Sequence, residues 1–598
     1  MDTLPKRNEM NPKDMWHLQD IYKDISAWEK DFSFAENAVN SFTSFMGKLG
    51  TSAQMLLDCL KKSNDTSLII EQLYVYAFMG FHQDSTNTLY QGLSSRAETL
   101  IIQYSSATAF IVPEILSIPE NTLSHFIKEN ASSFAVYTHF LENILRQKNH
   151  TLSSEQEALL AQAAELAGAP QNIFTMLNDA DIKFPMIEDE NGKKVELTKG
   201  RYTAFLENTD RRVRKDAFTA LYNTYAKQQN TLAATYSCSV KSDVFFAKAR
   251  KYTSSLQAAL EDDNIPITVY DNLIKTVHKF LPLMHRYIAL RKKILSVEEL
   301  HMYDLYVPLI AEADKKISYE QAKQTVTKAL SILGKDYLSA LEKGLNSGWI
   351  DVYENQGKRS GAYSWGVYSV HPYILLNHND NINSMFTLAH EMGHALHSYF
   401  TWQKQPYIYS GHKIFVAEVA STCNEALLMN YLLEHTEDVP TKKYLLNYFM
   451  EQFRGTLFRQ TMFAEFEKIT HEMAEKGEPL TCENMSKIYY QLNQQYFGND
   501  IVIDKDIAIE WARIPHFYNA FYVYQYATGY SAAIALSQKI TKEGQPAIDR
   551  YLDFLSKGNS EYSIDLLKGA GVDMTTTTPI ENAMKVFQNL LDKMESLC

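Results

Sequence analysis

Long stretches of the chain place apolar residues at three- and four-residue intervals, with charged and amide side chains between them. Ser154–Leu166 and Asp210–Ala249 are examples, rich in Leu, Ala, Lys, Glu and Gln and poor in Gly and Pro. That period buries one stripe of a helix, so a mainly α-helical protein is predicted. Two segments break the pattern. In Pro185–Gly200, Glu190-Asn191-Gly192 lies between Ile187 and Val195, which predicts a β-hairpin with an Asn-Gly turn. In Trp349–Asn377, Tyr and Val accumulate on Ile350–Tyr353, Ala362–Val370 and Tyr373–Leu376, which predicts strands. Polar Asn379–Ser384 then offers caps for a helix from Met385 to about Phe400. The hairpin marks the expected passage from an N-terminal helical lobe, residues 1–190, to a second lobe, residues 191–598. No tandem repeat or low-complexity linker interrupts either part.

Composition narrows the class. The 598 residues are 45% hydrophobic and 22% charged, an ordinary globular balance. The formal net charge is −13, whereas a nucleic-acid binder normally carries a basic patch, so no nucleic-acid partner is expected. Five scattered cysteines without a CxxC pair read as reduced thiols. Met1 to Asp24 lacks the apolar core of a signal peptide, and no run of about 18 apolar residues suggests a membrane span. A cytoplasmic location is expected.

The candidate chemistry is in Phe386–His397. His390 and His394 are four apart, which stacks two imidazoles on one helix face within reach of one metal ion. Glu391 is turned about 100° around the helix, toward a metal-bound water rather than the metal. This is the H-E-x-x-H arrangement, with the glutamate as general base. The alternative is a pair of core histidines satisfied by hydrogen bonds. Apolar Met385, Leu388, Ala389, Met392 and Leu396 make the helix a buried one, where unpartnered histidines are costly. A catalytic zinc needs a third protein ligand and an open position. Glu418 and Glu425 are seven apart on an Ala-, Val- and Leu-rich helix and share a face. Glu418 is assigned as third ligand. Glu425 fits a carboxylate that orients a ligand histidine, or else a solvated helix face. His397, three residues beyond His394, is read either as a support to the ligands or as structural, because a fourth protein ligand would close the open position.

These residues, with Glu418 twenty-four positions after His394 inside Phe-Val-Ala-Glu-Val-Ala-Ser, resemble the thimet oligopeptidase family and, within it, the oligoendopeptidase F branch. Trp16–Tyr22 and Arg513–Tyr518 look similar to that branch too, so the likeness extends over nearly the whole chain. The resemblance implies a two-lobed, zincin-like metallopeptidase, mainly α, with a small sheet beside the active-site helix and a deep substrate channel. It also implies one zinc ion per chain and oligopeptide substrates.

Tyr518, Tyr522 and Tyr526 step by four after His516 and predict one helix face. On residue pattern alone this is an aromatic packing stripe. The resemblance implies instead that His516 and Tyr522, then Tyr518, donate hydrogen bonds to a developing oxyanion. A further donor stays open between Tyr524 and Tyr526, because Gln525 falls near the family's step. Gly361–Gly366 reads either as an ordinary hairpin or as a sheet edge that pairs with an extended peptide. Gly411-His412 is a candidate substrate contact. The expected activity is hydrolysis of internal peptide bonds by a zinc-bound water, with Glu391 as base. A zinc carboxypeptidase on a related scaffold and a non-catalytic peptide-binding protein are the alternatives.

Overall fold

The computed structural model of the chain describes residues 3–310 and 316–598. Contacts divide it into two compact units, each assembled from separate stretches of sequence. Unit 1 is Met1–Asn149, Lys315–Leu428 and Leu536–Gly571; unit 2 is His150–Asp314, Met429–Ala535 and Val572–Cys598.

Both units are mainly helical, as the apolar period predicts. The stretches read from the pattern are helices Ser154–Ala167, Arg211–Ala226 and Gln229–Ala249. In unit 2 the predicted hairpin is β1, Met186–Glu188, paired antiparallel with β2, Lys194–Glu196, in the register Ile187↔Val195. Its turn is longer than two residues. Asp189 Oδ1 accepts from the N–H groups of Asn191 and Lys193, and Gly192 takes the positive φ of 76° that closes it.

Unit 1 holds the second sheet. Its strands are β3, Ile350–Asp351, β4, Tyr363–Gly366, and β5, Pro372–Leu375, in the order β3-β5-β4. β3 runs parallel to β5 and β4 antiparallel to it, so β4 is an edge strand rather than half of an isolated hairpin. Helix α1, Ala53–Gln83, packs its core residues together with Tyr373 and Leu375 of β5. Helix α2, Ile382–Lys404, packs against β4 and β5. Asn381 caps it, its side chain accepting from the Ser384 N–H at 2.8 Å, where the polar run before the helix predicted a cap. Helix α3, Ile414–His435, follows a short connection.

The stretch Thr88–Ser117 is long and apolar enough, by length and composition, to cross a membrane. It is two helices, Thr88–Thr108 and Ile111–Ser117, and Leu93, Ala97, Leu100, Ile111 and Ile115 are buried in the cores of unit 1.

Candidate metal centre

The centre is built where α2 and α3 touch in unit 1. Apolar Met385, Phe386, Leu388, Ala389, Met392, Ala395 and Leu396 bury one side of α2. Phe415, Val416, Val419, Ala420 and Cys423 do the same for the start of α3. The helices come into backbone contact at Gly393, where a Cβ would lie 2.5 Å from Ser421 Cα and 2.9 Å from Ala420 O. Asn424, fully buried, pins them together. Its amide donates to Ala389 O at 3.1 Å and its carbonyl accepts from the Tyr337 hydroxyl at 2.8 Å.

This packing brings His390, His394 and Glu418 to one point. His390 Nε2 and His394 Nε2 are 3.2 Å apart, and each is 3.3 Å from Glu418 Oε2. A tetrahedral ion with ligands at about 2.0–2.1 Å spaces its ligand atoms about 3.3 Å apart. The three atoms therefore fit a zinc ion that retains one open position. Ser421 Oγ holds Glu418 Oε2 at 3.2 Å, and Glu425 Oε1 is 2.5 Å from His390 Nδ1. Glu425 thereby fixes the His390 tautomer with Nε2 facing the centre.

Charge follows the geometry. Burial alone would depress His390, but hydrogen bonds to Glu418 and Glu425 prevail and push it up to about 10. Burial alone would raise Glu418, but its bonds to His390 and His394 hold it well below the usual carboxylate range. Glu391 is 7% exposed, and its Oε2 has no hydrogen-bond partner. Burial raises this carboxyl above its ordinary value, against the pull of the two histidines. A buried glutamate oxygen without a partner, next to a three-ligand centre, suits a group waiting for a proton.

His397 is buried and packs against His412, ring centroids 3.7 Å apart and the planes tilted by 37°. His412 Nε2 is 3.1 Å from Thr401 Oγ1. Neither belongs to the ligand group.

The second constellation lies in unit 2 and departs from the predicted helix face. Pro515–Tyr518 is one 3₁₀ turn, and the helix that follows begins only at Tyr524. Between them Phe521 takes a φ of 56°, which a continuous helix cannot accommodate. The bend separates the tyrosines. Tyr522 is stacked on His516 at 6.2 Å, and Tyr526 meets His516 at 6.0 Å and Tyr522 at 5.5 Å. Tyr518 is not in this group: its hydroxyl is 2.9 Å from Thr235 Oγ1 and its ring stacks on Phe174. Tyr524 is buried against Tyr270. Of Tyr524 and Tyr526, it is Tyr526 that meets His516 and Tyr522. The turn is held from helix α4, Arg459–Glu475, where fully buried Glu467 accepts the Phe521 N–H at 3.0 Å. Helix α5 is Tyr524–Glu543.

Fold and centre define a helical metallopeptidase. A family model described as peptidase family M3 matches residues 204–586, and one described as oligopeptidase F matches residues 114–184. The chain belongs to peptidase family M3, the family that the histidine and glutamate spacing resembles. It is 52% identical to oligopeptidase PepF of Bacillus subtilis over 594 residues, 99% of this chain and 88% of the relative. It is 40% identical to group B oligopeptidase PepB of Streptococcus agalactiae over 591 residues, 99% of this chain and 98% of the relative. The crystal structure of oligoendopeptidase-F from Enterococcus faecium matches with a TM-score of 0.75 at 39% identity, over 95% of this chain and 98% of that one.

Proposed function

We propose that this chain is a zinc-dependent endopeptidase that hydrolyses internal bonds of short oligopeptides. One zinc per chain is held by His390, His394 and Glu418. The observation that carries this is the triangle of ligand atoms, 3.2–3.3 Å on a side, beside the partnerless Oε2 of Glu391. The relatives named oligopeptidase support the substrate class.

Zinc, when bound, supplies a Lewis acid for the scissile carbonyl and lowers the pKa of a water molecule. Glu391 accepts the proton of the attacking water at its carboxylate and passes it to the leaving amine. Glu425 and Ser421 hold His390 and Glu418 in place. The family resemblance gives His516 and Tyr522 the role of oxyanion donors; Tyr526 meets both rings, whereas the Tyr518 hydroxyl is engaged by Thr235. The outer edge of β4 suits main-chain pairing with an extended substrate, which tolerates varied sequences. The expected boundary near residue 190 falls between family models that end at 184 and begin at 204, whereas the compact units cut across it, residues 1–149 sharing unit 1 with the metal ligands. A cytoplasmic location agrees with five cysteines that are all free.

Metal analysis tests the ligand set. One zinc per chain is expected in the wild type, with loss of tight binding in Glu418→Ala. Unchanged zinc affinity in that variant overturns the assignment.

A further inference from the structure

Helix α1 sets Tyr74, Phe78 and His82 four residues apart in one row. The Tyr74 and Phe78 rings stack at 4.2 Å, and Phe78 meets His82 edge-on at 6.0 Å. Tyr74 in turn meets Trp365 of β4 edge-on at 5.9 Å. The far end of the row is locked: His82 Nδ1 is 2.8 Å from the Tyr363 hydroxyl and Nε2 is 2.9 Å from Arg359 Nη1. Leu73, Val75, Ala77 and Met79 of the same helix are in the core. Tyr74, Phe78 and Trp365 are instead half-buried. Three large rings are thus held in fixed positions with part of each left open to solvent.

The strand relates these rings to the metal centre. Side chains alternate across β4. Trp365 and Tyr363 project toward α1, where they meet Tyr74 and His82. Gly366 belongs to the opposite face, since a Cβ there would lie 2.7 Å from Trp402 of α2. Among the described residues no strand pairs with the outer edge of β4. A peptide added along that edge inherits the alternation. The residue opposite Trp365 projects toward Tyr74 and Phe78, and its neighbours project toward α2, the helix that carries His390 and His394.

We infer that Tyr74, Phe78 and Trp365 form an aromatic ledge that selects a bulky apolar or aromatic side chain at one position of a peptide bound along β4. This rests on the peptidase reading above and gives it a sequence preference. Main-chain pairing to β4 is indifferent to side chains, so selectivity falls to whatever the alternate side chains meet. The ledge offers apolar ring faces, and Arg359, at the His82 end of the row, is engaged with that histidine.

The test uses end-blocked quenched peptides in which each position around the cut is scanned in turn through Phe, Leu, Gly and Asp. Wild type, Tyr74→Ala, Phe78→Ala and Phe78→Leu are compared, with zinc content and melting temperature measured for each. Wild type is expected to favour Phe or Leu at one position. Phe78→Ala and Tyr74→Ala are expected to lower kcat/KM for those peptides about tenfold and to leave the Gly peptide unchanged. Phe78→Leu is expected to restore part of the preference. An unaltered ranking, or an equal loss on every peptide at full zinc occupancy, overturns the ledge. A zinc-loaded wild type that cuts none of the peptides refutes the peptidase reading, and the ledge with it.

Discussion

Gly393 and Ser421 meet backbone to backbone: a Cβ on residue 393 would lie 2.5 Å from Ser421 Cα and 2.8 Å from Ser421 N. No side-chain rotation relieves a clash with main chain, so Gly393→Ala has to push α2 and α3 apart. The ligand triangle spans both helices and opens with them. The expected outcome is a lower melting temperature together with zinc affinity weakened more than tenfold. Chelator competition and thermal unfolding check it; unchanged zinc affinity would show that the contact does not set the ligand geometry.

Glu425 reaches the centre through His390 Nδ1, at 2.5 Å. Glu425→Ala keeps all three ligands but frees the imidazole to rotate and change tautomer. Loss of such a partner costs about 10–100-fold in metal affinity. Competition against a fluorescent zinc chelator measures it, and affinity equal to wild type would return Glu425 to the role of a solvated helix face.

Phe521 stores strain that Glu467 compensates. A left-handed, non-glycine residue costs about 1–3 kcal/mol and persists only where its surroundings enforce it. Here the carboxyl of Glu467 accepts the Phe521 N–H, and the ring of His471 packs on Phe521 at 4.4 Å. Burial pushes the Glu467 carboxyl well above the usual carboxylate range, so it acts as a neutral acceptor. Glu467→Gln keeps that acceptor and retains most activity. Glu467→Ala releases the turn that aligns His516, Tyr522 and Tyr526, and lowers kcat about tenfold or more with zinc content unchanged. Steady-state kinetics on metal-loaded variants separates the two; wild-type kcat in Glu467→Ala would contradict the positioning of the turn.

His82 makes the stability of unit 1 depend on pH. Burial, with Arg359 beside it, pushes the imidazole down from 6.5 to about 4. Nε2 accepts from Arg359, which a protonated ring cannot do. The unfolded chain binds a proton near pH 6.5 and the folded chain does not. The stability supplied by neutral His82 is therefore full above about pH 6.5 and is lost as pH falls toward 4, by about 3 kcal/mol in total. Melting temperatures of wild type and His82→Gln from pH 7 to 4.5 are expected to converge at low pH. Parallel curves would show that His82 does not contribute this dependence.

The parts legible in the sequence were those encoded locally. His390 and His394, four apart, and Glu418 and Glu425, seven apart, are periodicities of single helices, and the structure keeps them. The Asn-Gly signal at 191–192 found the hairpin, although Asp189 makes the turn longer than the two residues it implies. The bend at Phe521 was not legible, because neither glycine nor asparagine marks the positive φ; a continued four-residue step misplaced Tyr518 and left Tyr526 undecided. The assembly of each unit from separate stretches was equally hidden, since it depends on contacts between segments far apart in sequence. Gly393 stood in plain view within the histidine motif, but its use at the contact with Ser421 appears only when α3 is packed against α2.

The most direct measurement is cleavage of a quenched fluorescent peptide, blocked at both ends, by zinc-loaded wild type and zinc-loaded Glu391→Gln. Wild type is expected to cut an internal bond, to stop on chelation and to resume when zinc is restored. Glu391→Gln is expected to hold its zinc and lose about a hundredfold or more of the rate. Wild-type turnover in Glu391→Gln, or a zinc-loaded wild type that spares every blocked peptide, would contradict a glutamate-assisted zinc endopeptidase.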